Sequence, residues 1–305
     1  MGSTRCWLIG GTGDSAEIAR QLSDLAIPYV VTVTTAAARK LYPKGASVEV
    51  GKLSPQLAQN FAWRHQVSCI ADASHPFASE ISKCAIALAS DRQIPYLRYE
   101  RPLVTPLVDT HPTSTRRTLS ESSASDAYAS NDPENFAASV TLVDSIDALL
   151  AHSSLMSQLE HQRILFTIGY RHLEKFASLR ATSKLYARIL PSPEALSSTL
   201  FAGFEASEII AIRPPVSLAL EKALWQQWNI SCVVAKCSGE LATSASGERI
   251  KRQAAQALGV HLIMISRPTL SYPHKTENLA DIISFCQDYS VSGRTDLKPS
   301  LQRRK

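Results

Sequence analysis

Three glycines near the start of the chain, Gly10, Gly11 and Gly13, separate a short apolar run from a segment with helical periodicity. Gly11, Gly13 and Ala16 match the dinucleotide pattern G-x-G-x-x-G/A, with alanine at the last, packing position. Glycine lets the backbone approach a pyrophosphate, and the N–H groups that open the following helix attract negative charge. The pattern predicts a strand, a turn and a helix in which Gly10, Gly11, Thr12 and Gly13 bind a dinucleotide. An ordinary glycine turn is the alternative, because the motif also occurs without a ligand.

The second predicted strand ends in Thr34 and Thr35, and Arg39 and Lys40 follow. A site for NAD usually carries Asp or Glu here, whereas a site for NADP accommodates the 2′-phosphate with Arg. Because the segment 34–40 has hydroxyls and cations but no acid, we expect NADPH as the cofactor, with NADH as the alternative. Thr34, Thr35 and Arg39 are the predicted ligands. Arg39 and Lys40 could instead be solvated charges at the start of a helix.

Strand-like and helix-like segments alternate along most of the chain. Parallel strands need crossover connections, so this alternation predicts an α/β fold with doubly wound parallel sheets. We expect four regions. They are an NADP-binding Rossmann-like domain at 1–104, a Ser-rich insertion or linker at 105–139, a second α/β domain that binds substrate at 140–270, and a C-terminal helix with a basic tail at 271–305. Ligands of such sheets bind at the carboxyl ends of the strands.

Composition limits the class of protein. The chain has 305 residues, 45% of them hydrophobic, which is enough for two folded domains. A net charge of +5 is too small to indicate a nucleic-acid partner, but it suits an acidic small molecule. The six cysteines form no C-x-x-C pair, so we expect buried free thiols and no metal. No signal peptide or membrane span is visible, and free thiols suit a reducing compartment, so we expect a cytoplasmic protein that contacts no membrane. We also expect a monomer.

Six segments together resemble one known family, the precorrin-6A reductases of cobalamin biosynthesis. The His-Pro-Phe and Lys-x-Ser-Gly segments are the distinctive ones, and all six occur in the family's order. The segments are Gly10-Gly11-Thr12-Gly13-Asp14, Asp72-Ala73-Ser74-His75-Pro76-Phe77-Ala78, Arg98-Tyr99-Glu100-Arg101-Pro102, Thr167-Ile168-Gly169, Val234-Ala235-Lys236-Cys237-Ser238-Gly239 and Ile265-Ser266-Arg267-Pro268. The Ser-rich insertion and the tail depart from the family's pattern but touch none of these motifs.

The resemblance implies two Rossmann-like parallel-sheet domains with an interdomain cleft. It also implies an oxidoreductase that transfers a hydride from NADPH to a carbon of precorrin-6A, or of its cobalt form, and so reduces one double bond. The substrate would be an anionic tetrapyrrole-derived macrocycle with many carboxylate arms. Cations suit such a ligand, since Arg pairs with carboxylates in a bidentate fashion.

Two residues are the catalytic candidates. His75 follows a predicted strand on the cofactor side, where it could donate a hydrogen bond or a proton; a hydrogen bond that fixes the loop beside Pro76 is the alternative. Lys236 ends a strand of the other domain and could bind substrate carboxylates or stabilise charge at the reacting carbon. A glycine turn with a solvated lysine is the alternative. Ser74, next to His75, is assigned to the cofactor.

The remaining substrate-binding candidates also follow predicted strands. They are Arg101, Tyr170, Arg171, Ser238, Gly239 and Arg267, together with Lys236. Arg101, Arg213 and Arg267 each directly precede a proline at a predicted strand end and could bind carboxylates or merely cap the sheet. Trp225 and Trp228 are spaced for a helix and are expected in the core rather than at a ring-stacking surface.

Two other functions compete. A short-chain dehydrogenase would need a Tyr and a Lys four residues apart on one helix, so that the ammonium lowers the phenol pKa. The chain contains no such pair; Tyr170, for example, is followed at that spacing by Glu174. A non-catalytic NADP-binding sensor would keep the first domain and Arg39, but would have no need for a second domain with the Lys-x-Ser-Gly segment.

Overall fold

The computed structural model describes residues 4–103, 140–239 and 247–291. The chain divides into two compact units. The predicted Ser-rich segment 105–139 and the predicted basic tail beyond residue 291 lie outside the described residues.

The first unit contains six parallel strands. In their order across the sheet they are β12 (Lys275–Thr276), β5 (Tyr96–Tyr99), β4 (Val67–Asp72), β1 (Arg5–Ile9), β2 (Tyr29–Val33) and β3 (Val48–Val50). The helices are α1 (Gly13–Asp24), α2 (Ala36–Arg39), α3 (Pro55–Arg64), α4 (Ser79–Arg92) and α10 (Leu279–Val291). Read from the β3 edge, strands β1 to β5 lie in the order 3-2-1-4-5 of the dinucleotide fold. The strand order therefore reverses between β1 and β4.

Strand β1 shows why the first sheet is covered on both faces. Cys6 and Leu8 pack in one hydrophobic cluster with Ile18 of α1, whereas Trp7 packs in another with Phe61 of α3. Successive side chains of a strand point to opposite faces, so a strand with helices on both sides reads as a continuous apolar run. The sequence Cys6-Trp7-Leu8-Ile9 is such a run, and all four residues are buried.

The second unit repeats this topology with six more parallel strands. Across the sheet they are β6 (Val140–Val143), β11 (His261–Ile265), β10 (Cys232–Lys236), β7 (Arg163–Phe166), β8 (Lys184–Ile189) and β9 (Ile209–Ala211). The helices are α5 (Ile146–Ala151), α6 (Ser153–Leu159), α7 (Pro193–Phe201), α8 (Leu218–Gln227) and α9 (Gly247–Leu258), with 3-10 helices at Tyr170–Ala181 and Ala206–Glu208. Here the order reverses between β7 and β10.

Side-chain caps start several helices where the sequence changes from strand to helical periodicity. Ser54, Ser192 and Ser217 each accept a hydrogen bond from an amide in the first turn of α3, α7 and α8. Proline follows two of these serines at the first helical position, where its missing N–H costs nothing. The indole of Trp225 is buried in the second core and Trp228 packs against the same core, so both tryptophans lie where the sequence predicts.

The C-terminal helix belongs to the first unit. From the sequence we expect residues 271–305 to form a region separate from both domains. In the structure, residues 269–291 belong to the same compact unit as residues 4–102. Strand β12 pairs with β5, and Ile282 and Cys286 of α10 are fully buried in the cluster that contains Leu8. The apolar side of α10 thus covers a face of the first sheet, which a segment outside the domain could not do.

The predicted fold class of two Rossmann-like parallel-sheet domains is confirmed. The interdomain cleft stays a prediction. Among the described residues, each helix is too short or too polar to cross a membrane.

Candidate functional site

The glycine turn lies between β1 and α1, at the point where the first sheet reverses its strand order. Gly11 has a positive φ of 101°, a conformation that favours glycine. A Cβ built on Gly11 or Gly13 meets no atom within 4 Å, so a ligand can approach both residues from the side where a Cβ would lie. Ligands of this fold bind at such a reversal point. The turn therefore fits the pyrophosphate of a dinucleotide.

Thr12 shapes this turn with its side chain. Its Oγ1 accepts a hydrogen bond from the Ser15 amide (3.1 Å), and the Ser15 hydroxyl accepts one from the Thr12 amide (3.0 Å). The Thr12 hydroxyl also lies 2.9 Å from the Ala73 carbonyl at the end of β4. These bonds cap α1 and tie the turn to the neighbouring strand. The exposed Gly13 amide at the start of α1 has no intrahelical acceptor and can face a phosphate.

An acid in the first turn of α1 is neutralised by a distant residue. Asp14 is buried and pairs with Nε of Arg101, which lies 87 residues away and is itself buried. Asp14 would otherwise repel a phosphate at this helix start, so its charge is compensated where the cofactor would bind. The predicted carboxylate-binding Arg101 thus already holds a carboxylate of its own chain.

The predicted 2′-phosphate ligands follow β2. Thr35 caps α2, accepting the Ala38 amide at 3.3 Å. Thr34, Thr35 and Arg39 are all exposed, as a segment that binds a ligand from solvent requires. The fit to NADPH rests on these exposed hydroxyls and the Arg39 guanidinium.

A buried ion pair holds the loop that carries His75. Nη1 of Arg98 donates to Oδ1 of Asp72 (2.8 Å) and to the Ser74 hydroxyl (3.0 Å). The hydroxyls of Ser82 and Tyr96 donate to the other Asp72 oxygen at 2.6 and 2.7 Å. Ser74, predicted to contact the cofactor, is therefore buried in this network.

His75 itself is exposed at the end of the loop. Its Nδ1 accepts the Phe77 amide at 3.2 Å, which is the kind of loop-fixing bond that the alternative interpretation expects. Because Nδ1 accepts, Nε2 carries the proton of the neutral ring. In this tautomer the N–H that His75 can donate is the one at Nε2.

The second unit brings cationic candidates together at its own reversal point. Lys236 ends β10, and Tyr170 and Arg171 open the 3-10 helix that follows β7 and Gly169 (φ 83°). Burial, and then the charge of Arg171, lowers the pKa of Lys236 to about 8. The Arg171 guanidinium lies 5.6 Å from the centre of the Tyr170 ring, whose hydroxyl donates to Glu194 at 2.6 Å. A cluster of positive charge at strand ends suits a polycarboxylate.

The Lys236–Gly239 turn is fixed from the next helix. The Gly239 amide donates to Glu248 at 2.9 Å, and Arg252 pairs with the other Glu248 oxygen at 3.0 Å. Gly239 has a φ of 72°, and Ser238 is partly exposed beside it. Nε of Arg267 donates to the Cys237 carbonyl at 3.3 Å, so Arg267 also supports this turn.

Sequence reasoning missed several residues of these sites. His172 lies near Lys236: burial, followed by the Lys236 charge, lowers its pKa. Tyr42 contacts the glycine turn, and Asp72 and Glu248 hold the two loops. His172 was recognisable by its place two residues after Tyr170, but the contacts of Tyr42, Asp72 and Glu248 cross long stretches of sequence.

Three buried cysteines meet in the first core. The sulfur atoms of Cys6, Cys69 and Cys286 lie within 4.8 Å of one another, and this is the group of described residues that could hold a metal ion. Three thiolates with one ion would bring net negative charge into an apolar core, which is costly. Burial raises the pKa of Cys6 and favours the neutral thiol. We therefore treat these cysteines as packed thiols and assign them no metal.

Comparison with known proteins agrees with this arrangement. The family model described as Precorrin-6x reductase CbiJ/CobK matches residues 5–287. A cobalt-precorrin-6A reductase of Synechocystis sp. is 42% identical over 94% of this chain and 97% of its own length. The precorrin-6A reductase of Rhodococcus erythropolis is 29% identical over 92% and 94%. The solved structure of a CobK precorrin-6A reductase, 21% identical, has a TM-score of 0.67 over 94% of this chain and 98% of that one.

The match spans both sheets and all six segments that carry the resemblance. The expected identity as a reductase of cobalamin biosynthesis is confirmed, and so is the expectation of an oxidoreductase rather than a non-catalytic sensor. The chain belongs to the precorrin-6x reductase CbiJ/CobK family.

Proposed function

We propose that this chain reduces one double bond of precorrin-6A, or of its cobalt form, by hydride transfer from NADPH. One observation carries the proposal. Where the strand order reverses, the first unit has an open glycine turn and the second unit has clustered cations. The relatives named cobalt-precorrin-6A reductase, one of them 42% identical, support the choice of substrate.

The first unit would hold the cofactor. The Gly13 amide and the start of α1 would bind the pyrophosphate, with Gly10, Gly11 and Thr12 shaping the turn around it. Thr34, Thr35 and Arg39 would bind the adenosine 2′-phosphate, and the absence of an acid among residues 34–42 favours NADPH over NADH. When bound, NADPH supplies the hydride, so the protein's main tasks are to orient two rings and to exclude water.

The second unit would bind the macrocycle. Lys236 and Arg171 would pair with its carboxylate arms, while Tyr170, Ser238, Gly239 and Arg267 would line or support the same surface. The carbon next to the hydride acceptor must gain a proton. His75 could donate it from Nε2, and solvent is the other source.

Anaerobic incubation with precorrin-6A and NADPH tests the proposal. NADPH oxidation and the absorption spectrum of the macrocycle should change together, and NADPH deuterated at the transferred position should add one deuterium to the product. If neither signal moves, the assay is repeated with the cobalt form. Failure with both substrates, or a product without deuterium, would contradict the proposal.

A further inference from the structure

The hydroxyl of Tyr42 lies inside the glycine turn although Tyr42 belongs to a different segment. It accepts a hydrogen bond from the Gly11 amide at 2.7 Å, and the Ser15 hydroxyl lies at the same distance. The Ser15 hydroxyl has one hydrogen, and the Thr12 carbonyl at 2.8 Å takes it. The Tyr42 hydroxyl therefore donates to Ser15. Burial raises the pKa of Tyr42, so this hydrogen is retained.

Gly10 makes room for this contact. A Cβ at Gly10 would lie 2.1 Å from the Tyr42 hydroxyl oxygen and 3.1 Å from the ring carbon that bears it. The backbone of Gly10 does not have a positive φ. Glycine is thus needed at position 10 because the tyrosine occupies the space of a side chain, and not because the backbone is strained.

Tyr42 also belongs to the segment that would bind the 2′-phosphate. It follows α2 by three residues, and its amide lies 3.3 Å from the Arg39 carbonyl. Its side chain lines a cavity of about 470 Å³ together with Gly13 and Ala16 of α1. One side chain therefore connects the turn for the pyrophosphate to the segment that carries Thr35 and Arg39.

We propose that Tyr42 is a positioning residue for the cofactor, which sets the 2′-phosphate segment relative to the pyrophosphate turn and so contributes to the preference for NADPH over NADH. The inference rests on the proposed function. NADPH has to bind the turn and the segment at once through its 2′-phosphate. NADH lacks that phosphate and depends less on their relative placement.

Tyr42→Phe removes the hydroxyl and keeps the ring. We expect it to weaken NADPH binding by about three- to tenfold, the range of a typical lost hydrogen bond, and NADH binding by less. The affinity ratio of the two nucleotides, measured by titration calorimetry on the full chain, should therefore fall. A loss of stability alone would not change this ratio.

Tyr29→Phe is the matched control. The Tyr29 hydroxyl lies 2.7 Å from Ser23, away from the turn in an exposed position, and its loss should leave the ratio unchanged. If Tyr42→Phe fails to fold, Ser15→Ala removes the acceptor of the Tyr42 hydroxyl together with the two Ser15 bonds to Thr12, and it should lower the ratio in the same direction. An unchanged ratio in a variant that binds NADPH overturns the inference and leaves the proposed function intact. If the natural chain binds neither nucleotide, both are overturned.

Discussion

The ammonium of Lys236 shows how a single residue gains chemistry from its surroundings. Burial and the nearby Arg171 bring its pKa to about 8, well below that of an exposed lysine. A depressed lysine pKa means that the charged form is penalised. A carboxylate placed between Lys236 and Arg171 would stabilise the charged form of the lysine. The pair is therefore better suited to an anionic ligand than to water.

This pKa predicts a pH dependence of substrate binding. The charged form of Lys236 attracts carboxylates, and its population falls as the pH rises through about 8. The affinity for the macrocycle should therefore fall by about tenfold between about pH 7 and about pH 9. Absorbance titration at the two pH values measures it. Lys236→Met should bind weakly at both, with most of the pH dependence gone. Lys222→Met, in α8 of the same unit, should behave like the natural chain; an equal pH dependence in Lys236→Met would refute the assignment.

Arg101 and His75 each bind a group of their own chain. Arg101 was a candidate for substrate carboxylates, yet it pairs with Asp14 within the fold. His75 accepts an amide of its own loop through Nδ1. In both cases the structure adds a positioning role, and the roles toward substrate stay predictions.

At the scale of elements, the loop after β4 depends on the ion pair between Asp72 and Arg98. Both side chains are almost fully buried; the hydroxyls of Ser82 and Tyr96 also donate to Asp72, and the hydroxyl of Ser74 accepts from Arg98. The pair joins two neighbouring strands, β4 and β5, at the end where the ligand is expected. It therefore fixes the direction in which the chain leaves β4 toward His75.

Breaking this pair should destabilise the first unit strongly. Arg98→Met leaves the Asp72 carboxylate buried without its cation, a change that costs about 3–5 kcal/mol in comparable cases. Urea denaturation should show this loss in the free energy of unfolding. Arg64→Met is the control, because Arg64 pairs with Glu49 at the surface and should cost at most about 1 kcal/mol. Equal costs for the two variants would show that the Asp72 network does not hold the loop.

The two units of the chain have sheets of the same topology. Each unit has five strands in the order 3-2-1-4-5, counted within that unit from β1 or from β7, and a sixth strand at the edge. In each unit, residues that could bind a ligand lie where the strand order reverses. The proposed division assigns the cofactor to the first unit and the macrocycle to the second. That the chain acts as a monomer in the cytoplasm stays a prediction.

This division predicts that two variants have separate effects. Arg39→Ala should lower NADPH affinity by about tenfold or more, since a hydrogen bond to a charged group is lost, and should leave macrocycle affinity unchanged. Lys236→Ala should do the reverse. Binding titrations of each ligand alone measure both effects, with Lys44→Ala as an exposed lysine control near Arg39. Loss of NADPH binding in Lys236→Ala would show that the roles are not divided in this way.

Features that depend only on neighbouring residues could be predicted from the sequence. Glycine spacing indicated the turn, apolar runs and helical periodicity indicated the alternating elements, and six short segments identified the family. Strand ends could be located in the same way, so the candidates Gly11, Arg39 and Lys236 were found without coordinates. These features are local because backbone freedom and side-chain periodicity act over a few residues.

Tertiary structure alone decided which distant residues meet. Strand order depends on hydrogen bonds between remote segments, and no local pattern indicates that β12 pairs with β5 or that α10 covers the first sheet. The pairing of Asp14 with Arg101 and the placement of Tyr42 against Gly10 depend on the same long-range packing. The chemistry of each residue is encoded locally, but the partner that tunes it is selected when the sheet assembles.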